Sequence, residues 1–96
     1  MESQKGLKEE FMPNICLFYG ILISMRYSDH NPPHFHAIYQ GHKGMYNFDG
    51  ELLEGSMPEK QNRLIMAWCE LHREDLEANW KLASEHEALF KIEPLR

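Results

Sequence analysis

The amino-acid sequence predicts an α+β fold, an antiparallel β-meander of four to five strands followed by two helices that pack on one face of the sheet. Three observations support this fold class. Apolar and polar residues alternate between glycine-containing turns over residues 14–53, which is typical of short antiparallel strands. A Ser-x-x-Glu motif then begins at Ser56. The chain from residue 59 to about residue 87 contains neither proline nor glycine, as expected for helices.

The first two strands are predicted to form a hairpin. Residues 15–18 are apolar, and Tyr19-Gly20 offers a turn. Beyond the turn, apolar side chains occupy alternate positions of the second strand, namely Ile21, Ile23, Met25 and Tyr27. Because side chains alternate between the two sides of a strand, all four belong to one face. We expect this face to join the core.

The third strand is predicted over residues 34–40. Residues 28–33 have the composition of a loop, in which Pro32 and Pro33 favour an extended approach to the strand. Alternation then places His34 and His36 on one face and Phe35 on the other. A turn at residues 41–44, a strand at residues 45–48, a turn at Asp49-Gly50 and a short strand at residues 51–53 complete the predicted meander.

The helical region begins with a predicted capping box, in which Ser56 and Glu59 satisfy the exposed amides of the first turn. Large side chains then recur at every fourth position, at Leu64, Trp68, His72, Leu76 and Trp80. Each such step drifts by about 40°, so the first and last would point about 160° apart on one straight helix. We therefore predict a break near residues 71–74 that gives two helices between residues 57 and 87, with both tryptophans against the sheet. Residues 92–95 are expected to tuck against the body as an extended tail.

Composition indicates one domain over residues 12–96, preceded by a flexible N-terminal extension of residues 1–11. The chain has 96 residues, of which 43% are hydrophobic, which fits a single small core with incomplete burial, and a homodimer is one way to close the remaining apolar surface. Ten basic against fifteen acidic residues give a formal charge of -5, which argues against a dedicated duplex-binding protein. The two cysteines have no CxxC spacing, and no segment predicts a signal peptide or a membrane span. We expect a cytoplasmic location without membrane association.

The segment from Asp29 to His36, with sequence DHNPPHFH, carries the candidate chemistry. On a strand, His34 and His36 project from one face about 7 Å apart at their α-carbons, close enough for both rings to meet one ion. His30 is the expected third ligand of a divalent transition metal, with Asp29 as a fourth ligand or as the acceptor that orients an imidazole. An open coordination position would make hydrolysis conceivable. In the alternative interpretation these residues only shape a turn, and the strand histidines are half-exposed structural residues.

Positive charge is concentrated around the same segment. Residues 26–43 contain Arg26, Lys43 and four histidines but one acid, so a phosphate or RNA surface is a second interpretation of this region. His72 is expected at the helix break, where an imidazolium can cap the negative end of the first helix. If the helices cover the histidine face, His72 and Arg73 would add positive charge to the site.

Four separated motifs resemble a known family in their order along the chain: Phe18-Tyr19-Gly20-Ile21, the segment from Asp29 to His36, Trp68 through Leu71-His72, and Asn79-Trp80. The chain resembles the small bacterial proteins called domain of unknown function 4160 over residues 12–96, and residues 1–11 depart from the usual family pattern. The resemblance implies a bacterial, cytoplasmic protein whose gene neighbours have prompted a toxin-antitoxin interpretation. It implies no mechanism and no catalytic residues.

Three functional hypotheses follow. The first is an interaction subunit of a toxin-antitoxin-like pair, which binds a small protein partner and RNA through the surface of residues 30–43. The second is a metal-dependent hydrolase or nuclease with His30, His34 and His36 as ligands. The third is a structural module whose histidines become charged between about pH 5 and 7.

Overall fold

The computed structural model describes residues 12–96, so the predicted N-terminal extension of residues 1–11 lies outside the described residues. The strands are β1 (Asn14–Phe18), β2 (Ile21–Ser24), β3 (His34–Tyr39), β4 (His42–Asn47) and β5 (Leu52–Gly55), and the helices are α1 (Glu59–Leu71) and α2 (Arg73–Ser84). All neighbouring strands are antiparallel, in the order β1-β2-β3-β4-β5. The predicted α+β meander with two following helices is confirmed.

Two tight hairpin turns set the register of the sheet. Tyr19 and Gly20 have φ angles of 50° and 78°, and Gln40 and Gly41 have φ angles of 43° and 85°. Two central residues with positive φ are the two-residue connection that matches the twist of antiparallel strands. The prediction that residues 41–44 form a turn was therefore wrong, because the turn uses Gln40-Gly41 and β4 already begins at His42.

The helices cover the sheet face that carries Phe35. Trp68 of α1 is fully buried, with its ring 5.3 Å from that of Phe18 and 5.7 Å from that of Phe35. Trp80 of α2 lies 6.2 Å from the ring of Phe48. Both tryptophans thus meet the sheet, as predicted. Since side chains alternate along β3, His36 projects from the face opposite to Phe35 and the helices.

The helix break falls at His72, within the predicted residues 71–74, and α2 ends at Ser84 rather than near residue 87. The predicted capping box was wrong. Pro58 occupies the N-cap of α1 without a side-chain hydrogen bond, whereas the Ser56 amide donates to the Lys43 carbonyl at 3.0 Å. The Ser56 hydroxyl instead contacts Nδ1 of His42 at 3.2 Å. Ser56 is therefore held by the sheet, which prevents it from capping the helix.

The chain beyond α2 is irregular but attached at several points. The Ile92 amide donates to the Ile15 carbonyl of β1 at 2.8 Å, and the Trp68 indole N–H donates to the Glu93 carbonyl at 2.8 Å. Asn79 of α2 bonds to both backbone groups of Phe90, at 2.9 and 3.0 Å. The predicted tucked tail is thus confirmed. Neither helix of the described chain is long and apolar enough to cross a membrane.

Candidate metal centre

Three side chains at the start of β3 converge with suitable ligand atoms. Asp29 lies in the loop between β2 and β3, and His34 and His36 occupy the first and third positions of β3. One ligand atom from each of the three lies within 4.8 Å of both others. The two histidines meet because residues two apart on a strand share a face. The loop brings Asp29 against them.

His34 is buried and held at both ring nitrogens. Its Nδ1 lies 2.7 Å from the carbonyl oxygen of Pro32, and its Nε2 lies 2.8 Å from Oδ2 of Asp29. A carbonyl oxygen only accepts hydrogen bonds, so Nδ1 carries a proton and donates it. This bond directs Nε2 toward Asp29, where the nitrogen either shares a second proton with the carboxylate or offers a lone pair to an ion.

Asp29 is a carboxylate with only 8% of its side chain exposed. Its Oδ1 accepts a hydrogen bond from the His30 backbone amide at 2.9 Å. Burial acts to raise the pKa of Asp29, but this amide and the charge and hydrogen bond of His34 outweigh burial and lower it below the ordinary value. The group is therefore ionised at neutral pH. Its Oδ1 is fixed by the amide while Oδ2 faces the histidines.

His36 provides a neutral imidazole whose outer nitrogen is unsatisfied. Burial, followed by the positive charges of His34 and Arg26, lowers the pKa of His36. The Nε2 atom is buried and has no hydrogen-bond partner among residues 12–96. Its nearest acidic oxygen, Oδ2 of Asp29, is 4.0 Å away, beyond hydrogen-bond distance.

These atoms fit the donor set of a transition-metal site. Two imidazole nitrogens and one carboxylate are a recurrent set that leaves further coordination positions open. Ligands at the usual metal distances lie about 3.3 Å apart around a tetrahedral ion. The separations of Asp29 Oδ2 from His34 Nε2 and His36 Nε2 are 2.8 and 4.0 Å. Small side-chain adjustments would bring these separations to the required value.

A groove adjoins the cluster on the sheet face opposite to the helices. It has a volume of about 300 Å³, and its lining includes His36, Lys43, Met45 and Glu54. His36 therefore links the cluster to a cavity that is large enough for a small molecule or part of a chain. The groove contains one basic and one acidic side chain beside an apolar floor.

The remaining predicted site residues lie in three different places. The His30 side chain is 92% exposed, and its Nδ1 lies 3.3 Å from Oδ1 of Asp29, the oxygen that does not face the strand histidines. Its ring centre is 6.4 Å from that of His34, so His30 stands beside the cluster and not among its converging ligand atoms. Arg26 is exposed and acts electrostatically on His36, and Lys43 lines the groove. The predicted convergence of three histidines is therefore replaced by two histidines and Asp29.

The two predicted residues at the helix break do not join the cluster. His72 contacts Asp75 through Nδ1 at 3.5 Å, and its ring lies 5.9 Å from that of Trp68. Arg73 bonds to Asp49 and, at 3.1 Å, to Glu77. His72 is thus engaged within the helices, and Arg73 also joins α2 to Asp49 in the turn between β4 and β5. The helices cover the face opposite to His36.

Two parts of the site escaped sequence reasoning. The Pro32 carbonyl fixes His34, and the Trp80 ring lies 5.4 Å from that of His34. A contact to a backbone carbonyl cannot be recognised from residue types, because every residue has one. The Trp80 contact depends on how α2 crosses the sheet, although the apolar repeat did indicate that Trp80 is packed.

Comparison with known proteins identifies a family that this chain matches. A family model described as a domain of unknown function, DUF4160, matches residues 20–81, which include the whole cluster. No curated protein matches the chain. No solved structure matches it either.

Proposed function

Because the chain belongs to the DUF4160 family of domains of unknown function, we propose from its site that it is a metal-dependent hydrolase. Asp29, His34 and His36 are the proposed ligands of one divalent transition-metal ion. Imidazole nitrogens combined with a carboxylate suit zinc, nickel or iron better than calcium or magnesium. Such an ion, when bound, would polarise a substrate oxygen or lower the pKa of a bound water.

The observation that carries the proposal is the unsatisfied Nε2 of His36. A buried polar atom without a partner costs about 1–3 kcal/mol, and native proteins leave few of them unexplained. The nitrogen belongs to a ring whose pKa is lowered by burial, so its lone pair is available at neutral pH. A metal ion between His36, His34 and Asp29 would satisfy it.

The surrounding residues have defined parts in this proposal. The Pro32 carbonyl holds the His34 ring with Nε2 toward Asp29, where this nitrogen would be available to an ion. The His30 amide holds Oδ1 of Asp29, which leaves Oδ2 for the same ion. The groove beside His36 admits the substrate, and Lys43 at its wall would attract an anionic group such as a phosphate. A nuclease acting on RNA is the form of hydrolase in which Lys43 would bind the substrate phosphate, with Glu54 as the opposing charge in the same groove.

Metal titration of the untagged, chelator-treated protein tests the proposal. We expect stoichiometric zinc or nickel binding and a rise of the melting temperature, since a ligand of the folded state at 100 times its Kd contributes about 2.7 kcal/mol. His36→Ala should abolish both effects, whereas His30→Ala should leave them unchanged because His30 lies outside the cluster. Loss of binding in His30→Ala but not in His36→Ala would contradict the proposed ligand set.

Hydrolysis needs its own test. Metal-loaded wild-type protein should cleave a phosphodiester substrate such as single-stranded RNA, and both chelation and His36→Ala should reduce cleavage to background. His30→Ala is the matched control from the same loop. Binding of the metal without any turnover of phosphodiesters or esters that chelation abolishes would leave a metal-binding protein and refute the metal-dependent hydrolase.

A second candidate function is an interaction subunit, as the sequence hypothesis held. It is favoured by β5, the last strand of the sheet, in which every residue is exposed. Leu52 and Leu53 are 37% and 40% exposed, and an exposed edge strand is a template for pairing with another chain. Such pairing would suit a small protein partner or a homodimer. The toxin-antitoxin role, RNA binding through residues 30–43 and the cytoplasmic location stay predictions.

Copurification tests this second candidate. Leu53→Lys should release a partner held at β5, whereas Glu59→Lys, a change of an exposed residue at the start of α1, should retain it. A partner that Leu53→Lys retains, or a wild-type protein that remains monomeric and alone, would argue against β5 as the interface.

A further inference from the structure

A second pair of reactive side chains, one of which directly precedes the cluster residue Asp29, joins two distant parts of the chain. Oγ of Ser28 is 2.6 Å from Nε2 of His86. Ser28 belongs to the loop between β2 and β3, and His86 follows the C-terminal end of α2. Both residues are exposed. A short contact between a hydroxyl and an imidazole is the arrangement in which serine acts as a nucleophile.

The backbone at both residues adopts a conformation that side-chain-bearing residues rarely take. Ser28 has a φ of 54° and His86 a φ of 60°, in the left-handed region that glycine and asparagine tolerate best. The position after a helix that His86 occupies is usually taken by glycine. Residues held in this region cost about 1–3 kcal/mol and cluster at functional sites.

The pair is also fixed by contacts beyond the hydroxyl and the ring. The backbone amides of Ser28 and His86 both donate to the Ala83 carbonyl, each at 3.2 Å. The ring of Tyr27 lies parallel to that of His86, with 6.3 Å between centres and 2° between planes. The shared hydrogen bonds to the Ala83 carbonyl therefore hold the β2–β3 loop against the end of α2, with Ser28 and His86 in contact.

We propose that Ser28 is a nucleophile and His86 its general base, forming a site for carboxylic esters that lies beside the metal cluster and needs no metal. In the reaction, Oγ bonds to the ester carbonyl carbon while Nε2 takes the hydroxyl proton. The bond from that carbon to the alkoxide oxygen breaks, and His86 returns the proton to the leaving alkoxide. Water then releases the carboxylic acid from the acyl-serine and restores the hydroxyl.

A fluorophosphonate probe tests this site without a known substrate. It reacts with activated serines by forming an oxygen–phosphorus bond and releasing fluoride, with the hydroxyl proton passing to the base. The protein is treated with chelator throughout, so the result does not depend on the metal proposal. Peptide mass spectrometry then locates and quantifies the adduct.

We expect an adduct at Ser28 and none at Ser84, an exposed serine whose hydroxyl donates to the Lys81 carbonyl at 2.7 Å. His86→Asn suits the left-handed backbone but cannot act as the base, so it should slow labelling of Ser28 at least tenfold. Ser28→Gly, which also suits positive φ, should abolish the adduct. The melting temperature of each variant is measured alongside to confirm that it is folded.

Three results would overturn the proposal. One is a wild-type protein that is not labelled at Ser28. The second is labelling of Ser28 and Ser84 at equal rates, which indicates a hydroxyl without activation. The third is an unchanged labelling rate in folded His86→Asn, which would show that the pair is only a structural contact between the loop and α2.

Discussion

Replacement of Asp29 by asparagine should destabilise the metal-free protein. The substitution preserves the size of the side chain and the acceptor for the His30 amide, but it removes the negative charge that Oδ2 presents to Nε2 of His34. The two side chains are only 8% and 6% exposed, so solvent does not screen this contact as it screens a surface ion pair. The change therefore isolates one charged hydrogen bond in the loop.

The expected loss is about 1.5–3 kcal/mol, the usual contribution of a hydrogen bond to a charged group. Complete removal of one partner of a buried ion pair costs about 3–5 kcal/mol, but asparagine still offers His34 a polar neighbour. For a domain of this size, each 1 kcal/mol lowers the melting temperature by about 4–8 °C. We thus expect Asp29→Asn to melt roughly 6–24 °C below the wild type.

Urea unfolding at pH 7 in the presence of a chelator is the assay, with the m-value as a check that both proteins unfold in the same way. His30→Ala is the matched control, because its side chain is 92% exposed and its 3.3 Å contact with Oδ1 of Asp29 is open to solvent, so this variant should change stability by less than about 1 kcal/mol. If Asp29→Asn is as stable as His30→Ala, the buried Asp29–His34 contact does not hold the loop and the described site geometry is wrong.

Two further predictions concern the core. Asn79→Ala removes the two hydrogen bonds that the fully buried Asn79 side chain makes to the backbone of Phe90, so it should destabilise the protein by about 1–3 kcal/mol in thermal unfolding. Glu70→Ala on the exposed side of α1 should have little effect, and equal stabilities would contradict the role of Asn79. Burial raises the pKa of both Tyr46 and Cys69 to about 12, from ordinary values of 10.0 and 9.0. Between about pH 9 and 12 the unfolded chain loses these protons first, so stability should fall as pH rises, by about 1.4 kcal/mol per unit for each group that titrates. Urea unfolding from pH 8 to pH 11 measures this slope, and a flat profile would refute the burial of both groups.

Much of the fold follows from local patterns. Alternation along residues 21–27 and 34–40 predicts β2 and β3 and their faces, because one side of each strand must be buried. The second strand is shorter than predicted and ends at Ser24, although Met25 beyond it is still fully buried. The steady drift of large side chains from Leu64 to Trp80 predicts the break at His72, since one straight helix cannot bury both ends of that series. Both arguments depend on short-range geometry, which the sequence specifies directly.

The errors arise where non-local contacts compete with local preference. Ser56 has the sequence of a helix cap, but hydrogen bonds to the sheet engage both its amide and its hydroxyl. Gly44 was assigned to a turn, yet it lies within β4. A Cβ at this position would come within 2.8 Å of the Leu52 side chain. Glycine in this position reflects close packing between strands. Neither contact is visible in the local sequence.

In the candidate site, too, the sequence predicts the short-range geometry but not the contacts that depend on the loop backbone. Strand alternation correctly predicts that His34 and His36 share a face, and both belong to the cluster. The choice between Asp29 and His30 as their neighbour depends on the loop backbone, including the positive φ of Ser28. That backbone turns the Asp29 carboxylate inward and leaves the His30 ring in solvent. Residue types alone gave no means to choose between the two.

A crystal structure of the untagged protein grown with equimolar zinc, with anomalous data collected at the zinc edge, would show whether Asp29, His34 and His36 bind one ion. We predict one anomalous peak about 2.0–2.2 Å from His34 Nε2, His36 Nε2 and an oxygen of Asp29, with the Pro32 carbonyl still bonded to His34. The absence of a peak at these three side chains, or a peak at His30 with His36 unliganded, would contradict the account.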